Sequence, residues 1–484
     1  MNASALMPLR ARLGLDRLER LPASVARPAY DPRAIDIGIV HLGPGAFHRA
    51  HQAVYVDDLL ADDPRWGICA VSLRSADLRD ALVDQDNLYT VAVLDERVAW
   101  RVIGALREVL VAAEDPARVI ARLAAPATRL VTSTITEKGY CLDGSGALDL
   151  GHADIVHDLA RPDAPISAIG MLVAGLRRRR DDGIAPFTTI CCDNLTDNGR
   201  KLGAAVVAFA ERLDPALARW IADAAAFPRT MVDSIVPATD NGVRARVAGA
   251  LGVEDRWPVQ REAFAQWVIE DRFCNDAPDW ARIGVTLTDD VAGYESAKLR
   301  LLNGAHSTLA YMGLAAGHAS VAEAMADANL AAFVRTLMQE DIRPAVRVPR
   351  GFDIDAYIDA VLARFRNPAM RHALAQIAWD GSQKLPFRLL GTLRHALAAR
   401  RPVERLCRPL AAWMHFVCST ARGDRRITDP LAERLLVIGD ACTGDAGADV
   451  ARFLAIESIF GDDLPREPRV VAALVDAYAG SAVD

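Results

Sequence analysis

The stretch YESAKLRLLNGAHSTLAY, residues 294–311, holds one of only four lysines in the chain: Lys138, Lys201, Lys298 and Lys384 stand among 56 basic residues, the rest arginine. Where a plain positive charge serves, this chain uses arginine. A surviving lysine therefore points to a task that arginine cannot do. Arginine does not deprotonate in proteins, whereas desolvation or a neighbouring cation can bring a lysine amine from about 10.4 down toward working pH. Such an amine is a general base. Asn303 and His306 follow at i and i+3, on one helical face. Asn303 can donate to a developing alkoxide, and His306 can hydrogen-bond a neighbouring hydroxyl. Together they suit removal of a hydroxyl proton while hydride leaves the same carbon. Lys298 is out of α-helical register with Asn303, so its long stem, or a helix start near residue 297, must close the gap.

Other routes to the same chemistry fit less well. The eight cysteines contain no C-x-x-C, and nothing resembles a zinc framework. His48 and His51 share a helical face with no carboxylate or cysteine to complete a ligand set, so no metal is expected. Tyr294-x-x-x-Lys298 matches the short-chain dehydrogenase pattern literally, but it lies far beyond the glycine turn, in the helical half. Asn194, after the strand-like TTICCD, sits at the carboxyl edge where open α/β sheets bind ligands and offers a second oxyanion donor. It suits turn chemistry equally well.

These residues need a scaffold. In GIVHLGPGAFHRAH, Gly43 and Gly45 fall between strand and helix, where glycine lets backbone approach a pyrophosphate. The third glycine of G-x-G-x-x-G is replaced by His48. The turn, with Gly43, Gly45, Ala46 and Phe47, is expected to hold a dinucleotide. Arg49 can reach a phosphate or serve as a salt-bridged surface residue. Asp77, past the second strand, is placed to accept the ribose hydroxyls, which favours NAD; Arg74 beside it keeps NADP open.

AIDIGIVHLG (34–43), GICAVSL (67–73), RLVTSTIT (129–136) and FTTICCDNL (187–195) read as buried strands alternating with helices, an extended Rossmann-type, doubly wound α/β sheet. Beyond about residue 285 the segments are amphipathic helices, which predicts a dinucleotide domain over 1–285 and a mainly α-helical substrate domain over 286–484. A net charge of −7 argues against a nucleic-acid surface. LRRRRDD (176–182) is expected to be a solvated helix end. No apolar run is long enough to span a membrane, and the N-terminal residues lack a signal-type apolar region, so a cytoplasmic enzyme with reduced thiols is expected.

IVHLGPGAFHRAHQAVYVDDLL, TSTITEKGYC, CCDNLTDNG, FPRTMVDSIVPAT, FAQWVIEDRF, KLRLLNGAHS and WDGSQKLP, in that order across residues 38–390, resemble the mannitol dehydrogenase family of polyol-specific long-chain dehydrogenases. The resemblance implies a metal-independent, NAD(P)-linked secondary-alcohol dehydrogenase, monomeric, acting on a small sugar derivative. It puts the family's catalytic lysine, asparagine and histidine on Lys298, Asn303 and His306, and its first oxyanion asparagine on Asn194. It puts substrate contacts on Asp233 and Lys384 and proton release on Glu295. Gln376 stands eight residues before Lys384, where the mannitol-oxidising members look to have arginine. QIAWDGSQKLP, TEKGYC and KLRLLNG look more like members that reduce sugar acids, and SLRSADLRDAL more like those that oxidise mannitol. The expected reaction is D-fructuronate to D-mannonate, with Lys384 or Arg388 pairing the carboxylate. The alternatives are polyol-to-ketose oxidation of mannitol or D-arabinitol and, in another class, an NAD-binding sensor without turnover.

Overall fold

The computed structural model describes residues 11–370, 372–423 and 426–480. The chain divides between Val291 and Ala292 into an α/β unit and a helical unit.

In the first unit, β1 (Ile37–Leu42), β2 (Gly67–Ser72), β3 (Leu106–Val111), β4 (Leu130–Ser133) and β5 (Thr188–Cys191) form one parallel sheet in the order β3-β2-β1-β4-β5. That is the doubly wound order in which ligands meet the carboxyl edge of the strands. Both faces are covered, because successive side chains of one strand enter different cores. Val40 and Leu42 join Val71, Val131 and Leu172 on one side; Ile39 joins Ile68, Leu130 and Ile190 on the other. The helix Ala168–Asp181 packs on the first of these faces. Its arginine-rich end is not uniformly solvated. Arg179 is 1% exposed and donates to the carbonyls of Ala125, Thr128 and Ala185, bracing the turn into β4, while Arg177, Arg178 and Arg180 make ion pairs toward solvent.

Two smaller sheets extend the unit. One contains Val25–Ala26, Ala99–Ile103, Tyr89–Leu94 and Val259–Glu262; the other contains Thr230–Asp233, Gln266–Glu270 and Thr286–Thr288. The last pairing explains why the division falls later than the expected 285/286: Thr286–Thr288 hydrogen-bonds in parallel to Gln266–Glu270 and so belongs to the first unit.

The second unit is helical around Asn303–Ala315, whose Leu309, Ala310 and Tyr311 are buried against Leu410, Trp413 and Val417 of the helix Glu404–Arg422. Among the described residues no helix is long and apolar enough to cross a membrane.

Candidate functional site

Lys298, Asn303 and His306 lie on one continuous helical run. Val291–Ala297 is α-helical, Lys298–Leu302 is a π turn, and Asn303 begins the next α segment. In an ordinary α-helix, residues five apart point about 140° away from each other. Here the N–H of Asn303 donates to the carbonyl of Lys298, the i to i+5 bond that defines the π turn. This closes the register gap that the sequence left open. The widened turn brings Lys298 toward the face of Asn303 and His306, and neither a long stem nor a helix start at 297 is required. Tyr294, on the preceding turn, packs its ring edge-on against Phe352.

His306 is 6% exposed, and its Nε2 has no hydrogen-bond partner. An unpartnered buried nitrogen is a place for a ligand to bond. The ring lies 4.5 Å from that of Phe365 and 5.2 Å, edge-on, from that of His372, whose Nδ1 is also buried and unpartnered. Burial pushes the His306 pKa well below 6.5, and His372, Arg364, Arg388 and Lys384 push it the same way. His306 is therefore neutral at physiological pH and faces a shell of basic groups. Burial, with Arg388 next, also lowers the Lys384 amine, which donates to the carbonyl of Ile377 at 3.3 Å; Asp380 and Asp429 act in the opposite sense. Arg388, in the π turn Pro386–Leu390, donates to Ser307 Oγ at 3.1 Å. Arg364 and His372 carried no signal in the sequence; only folding places them beside His306. Gln376, expected among substrate contacts, is exposed on the short helix Leu374–Ile377.

In the first unit, β1 runs into the glycine turn. Gly43 has φ of +82°, and a Cβ there would sit 2.4 Å from the carbonyl oxygen of Thr134. Only glycine fits. Gly45 differs: its φ is −68°, and a Cβ would meet nothing nearer than 3.9 Å. The protein leaves that space open. A cavity of about 450 Å³ adjoins the turn, lined by Gly43, Leu73, Arg74, Thr136, Lys138 and His152 among others. Ala46 and Phe47 open the short helix Ala46–Ala50 directly behind the turn.

Arg49 is 4% exposed, donates to the carbonyl of Trp257 at 2.6 Å and lies over the ring of Tyr89, so it is a buried, internally bonded group and not a surface arginine. Asp77 is exposed in the first turn of Asp77–Leu82 and does not line the cavity; Arg74 does, paired with Asp154 at 3.2 Å. His48 and His51 are each engaged by neighbouring groups. His48 stacks on His41 at 3.4 Å, and His51 Nε2 donates to the carbonyl of Gln266. Cys141, His152 and Asp154 do bring ligand-type atoms within 4.8 Å of one another. There His152 Nδ1 accepts the N–H of Asp154, and burial pushes the Cys141 thiol up to about 11, which keeps it protonated.

Asn194 follows β5, and Asp233 ends the strand Thr230–Asp233, where it is buried. Two residues not singled out in the sequence fix this edge. The carboxylate of Asp193 accepts the N–H groups of Ile135 and Thr136 and the hydroxyl of Tyr140 at 2.6–2.9 Å. The side-chain amide of Asn198 donates to the carbonyls of Cys191, Asp193 and Thr230. Asn194 thus stands between two pinned neighbours. The polar density of CCDNLTDNG was the available signal.

A five-stranded parallel sheet with a glycine turn at its carboxyl edge, followed by a helical unit bearing lysine, asparagine and histidine on one run, defines a two-unit dehydrogenase. Residues 37–282 match the mannitol dehydrogenase Rossmann domain, and residues 290–481 match the mannitol dehydrogenase C-terminal domain. The chain belongs to the mannitol dehydrogenase family, and it is an oxidoreductase. It is 41% identical over 464 residues to D-mannonate oxidoreductase of Escherichia coli, covering 94% of this chain and 95% of the relative. It is 38% identical over 482 residues to mannitol 2-dehydrogenase of Phaeosphaeria nodorum, covering 97% and 83%. Among solved structures, mannitol 2-dehydrogenase of Pseudomonas fluorescens in ternary complex with NAD and D-mannitol aligns with a TM-score of 0.81 at 38% identity, covering 96% of each chain.

Proposed function

We propose that this chain is an NAD(H)-linked reductase of an open-chain sugar acid, converting D-fructuronate to D-mannonate, with Lys298 as the general acid and base. One observation carries the preference for an acid. His306 is surrounded by His372, Arg364, Arg388 and Lys384, each of which pushes its pKa down, and its Nε2 lacks a partner. Burial and Arg388 disfavour the charge on Lys384, and a substrate carboxylate would restore it. A neutral polyol offers no such compensation.

The forced glycine at Gly43, the open space at Gly45 and the adjoining cavity fit a dinucleotide, and the ternary complex of the Pseudomonas relative supports NAD. A nicotinamide coenzyme bound there supplies the hydride. Lys298 gives the proton to the carbonyl oxygen in reduction and removes it in oxidation. Asn303 donates to that oxygen, and Glu295 passes protons between Lys298 and solvent. His306, neutral, hydrogen-bonds a neighbouring hydroxyl through Nε2. The protein works as a cytoplasmic monomer.

The discriminating experiment is NADH oxidation assayed in parallel with D-fructuronate, D-tagaturonate, D-fructose and D-xylulose, repeated with NADPH. The proposal requires kcat/KM for D-fructuronate to exceed that for D-fructose by at least the tenfold that one charge-assisted contact is worth, about 1.5–3 kcal/mol. Preference for D-fructose would assign the chain to mannitol oxidation, and Gln376→Arg should then strengthen that preference. Binding of NADH without turnover on any of the four would favour a sensor.

A further inference from the structure

A cavity of about 920 Å³ opens at the opposite edge of the parallel sheet from the glycine turn. Its walls come from the amino ends of the strands: Ile35–Ile37 at β1, Arg65 and Trp66 before β2, Arg107–Val109 in β3, and Arg129 before β4. A six-residue strand at about 3.3 Å per residue puts it on the order of 20 Å from Gly43. Six arginines line it (Arg65, Arg79, Arg107, Arg118, Arg122 and Arg129) against three acids, Asp36, Glu108 and Asp276. In a chain of net charge −7 such a concentration runs against the background.

The pairing inside the cavity is incomplete. Arg118 and Arg122 both bond to Glu108, at 2.5 and 2.7 Å, so one carboxylate faces two guanidinium groups. Arg65 is neutralised by Asp63 and Asp276, and Arg79 by Asp80 and Glu114. Arg107 and Arg129 meet no carboxylate within ion-pairing distance among the described residues. The low walls of Ile35, Val109 and Trp66 focus the resulting field. Guanidinium forks match phosphate and carboxylate oxygens in pairs. We infer that this cavity is a second ligand site, separate from the cofactor cleft, for a small anion carrying two or more phosphate or carboxylate charges, held by Arg107, Arg129 and the Arg118–Arg122 pair.

The test uses the full chain saturated with NADH, so that the cofactor cleft is blocked, titrated calorimetrically with pyrophosphate and, separately, with citrate. Saturable binding by either is expected, and the tighter of the two identifies the anion chemistry. The Arg107→Gln/Arg129→Gln double variant should bind about tenfold more weakly, with NADH affinity unchanged. Asp36→Asn removes a lining acid and should tighten binding about threefold, a gain that misfolding cannot produce. Three results overturn the inference: no saturable heat with either probe, binding indifferent to all these substitutions, or binding abolished by NADH.

Discussion

The glycine turn yields a paired prediction in which two neighbouring substitutions separate stability from cofactor binding. Gly43→Ala places a Cβ 2.4 Å from the Thr134 oxygen and 2.8 Å from Ile135 Cγ2, at a φ of +82°. The left-handed conformation costs roughly 1–2 kcal/mol and the overlap roughly 1–3 kcal/mol. The sum, about 2–5 kcal/mol, lowers Tm by roughly 5–15 °C in a unit of this size. Gly45→Ala meets no atom nearer than 3.9 Å at a φ of −68°. There the loss of a good N-cap, roughly 0.5–1 kcal/mol, is offset by the reduced entropy of the unfolded chain, about 0.4–1 kcal/mol. Stability should therefore stay within about 0.5 kcal/mol of wild type. Its methyl group would occupy the space reserved for a pyrophosphate, so NADH binding should weaken by about tenfold or more. Thermal unfolding read by circular dichroism and NADH fluorescence titration measure the two effects. If Gly45→Ala binds NADH as tightly as wild type, the turn is not the pyrophosphate cradle, however well the sheet order fits.

Lys298→Ala should cut kcat by about 10²–10⁴, and Lys298→Arg should not rescue it, because the guanidinium keeps its proton; steady-state turnover within tenfold of wild type would refute the base assignment. Arg388→Met keeps the stem against the protein and removes the charge, so kcat/KM for D-fructuronate should fall about 10–100-fold while that for D-fructose moves little. Equal losses on both substrates would mean that Arg388 is structural. Acid should destabilise the first unit. Burial pushes His41 down to about 3 and His48 well below 6.5, so the unfolded chain takes up protons that the fold refuses, and stability falls as pH drops through 6.5. With the slope rising to about 1.4 kcal/mol per pH unit for each histidine below its unfolded pKa, the two together cost roughly 3 kcal/mol between pH 6.5 and 5. Urea midpoints across that range should decline less steeply for His48→Phe, and an unchanged slope would refute the attribution.

The strands legible in the sequence were those buried on both faces. IGIVHL and GICAVS announce themselves by continuous apolar, β-branched runs, and the structure places them within a few residues of the expected bounds. Leu106–Val111 is hard to read as a strand although it belongs to the same sheet: LREVLV interrupts its apolar run with Arg107 and Glu108, which line the cavity wall. The small-sheet strands Tyr89–Leu94 and Gln266–Glu270 carry the same ambiguity in short windows. Arg49 and Arg179 mislead for one reason. A buried guanidinium bonded to carbonyl oxygens looks, in one dimension, like a surface charge. The lysine, asparagine and histidine were readable from residue type alone, whereas their common orientation was not. That required an irregular turn with no compositional mark of its own beyond a spacing that regular geometry could not satisfy.

That turn also limits where this chemistry can be transplanted. Grafting Lys298, Asn303 and His306 onto a regular helix, at the same sequence spacing, would swing the amine about a third of a revolution from the amide. A designer would have to carry over the five residues Lys298–Leu302 as a block, or delete one residue and accept a different rise along the axis. Sequence drift in this segment is constrained the same way: substitutions can accumulate, but an inserted residue would swing the amine off the face that Asn303 and His306 share.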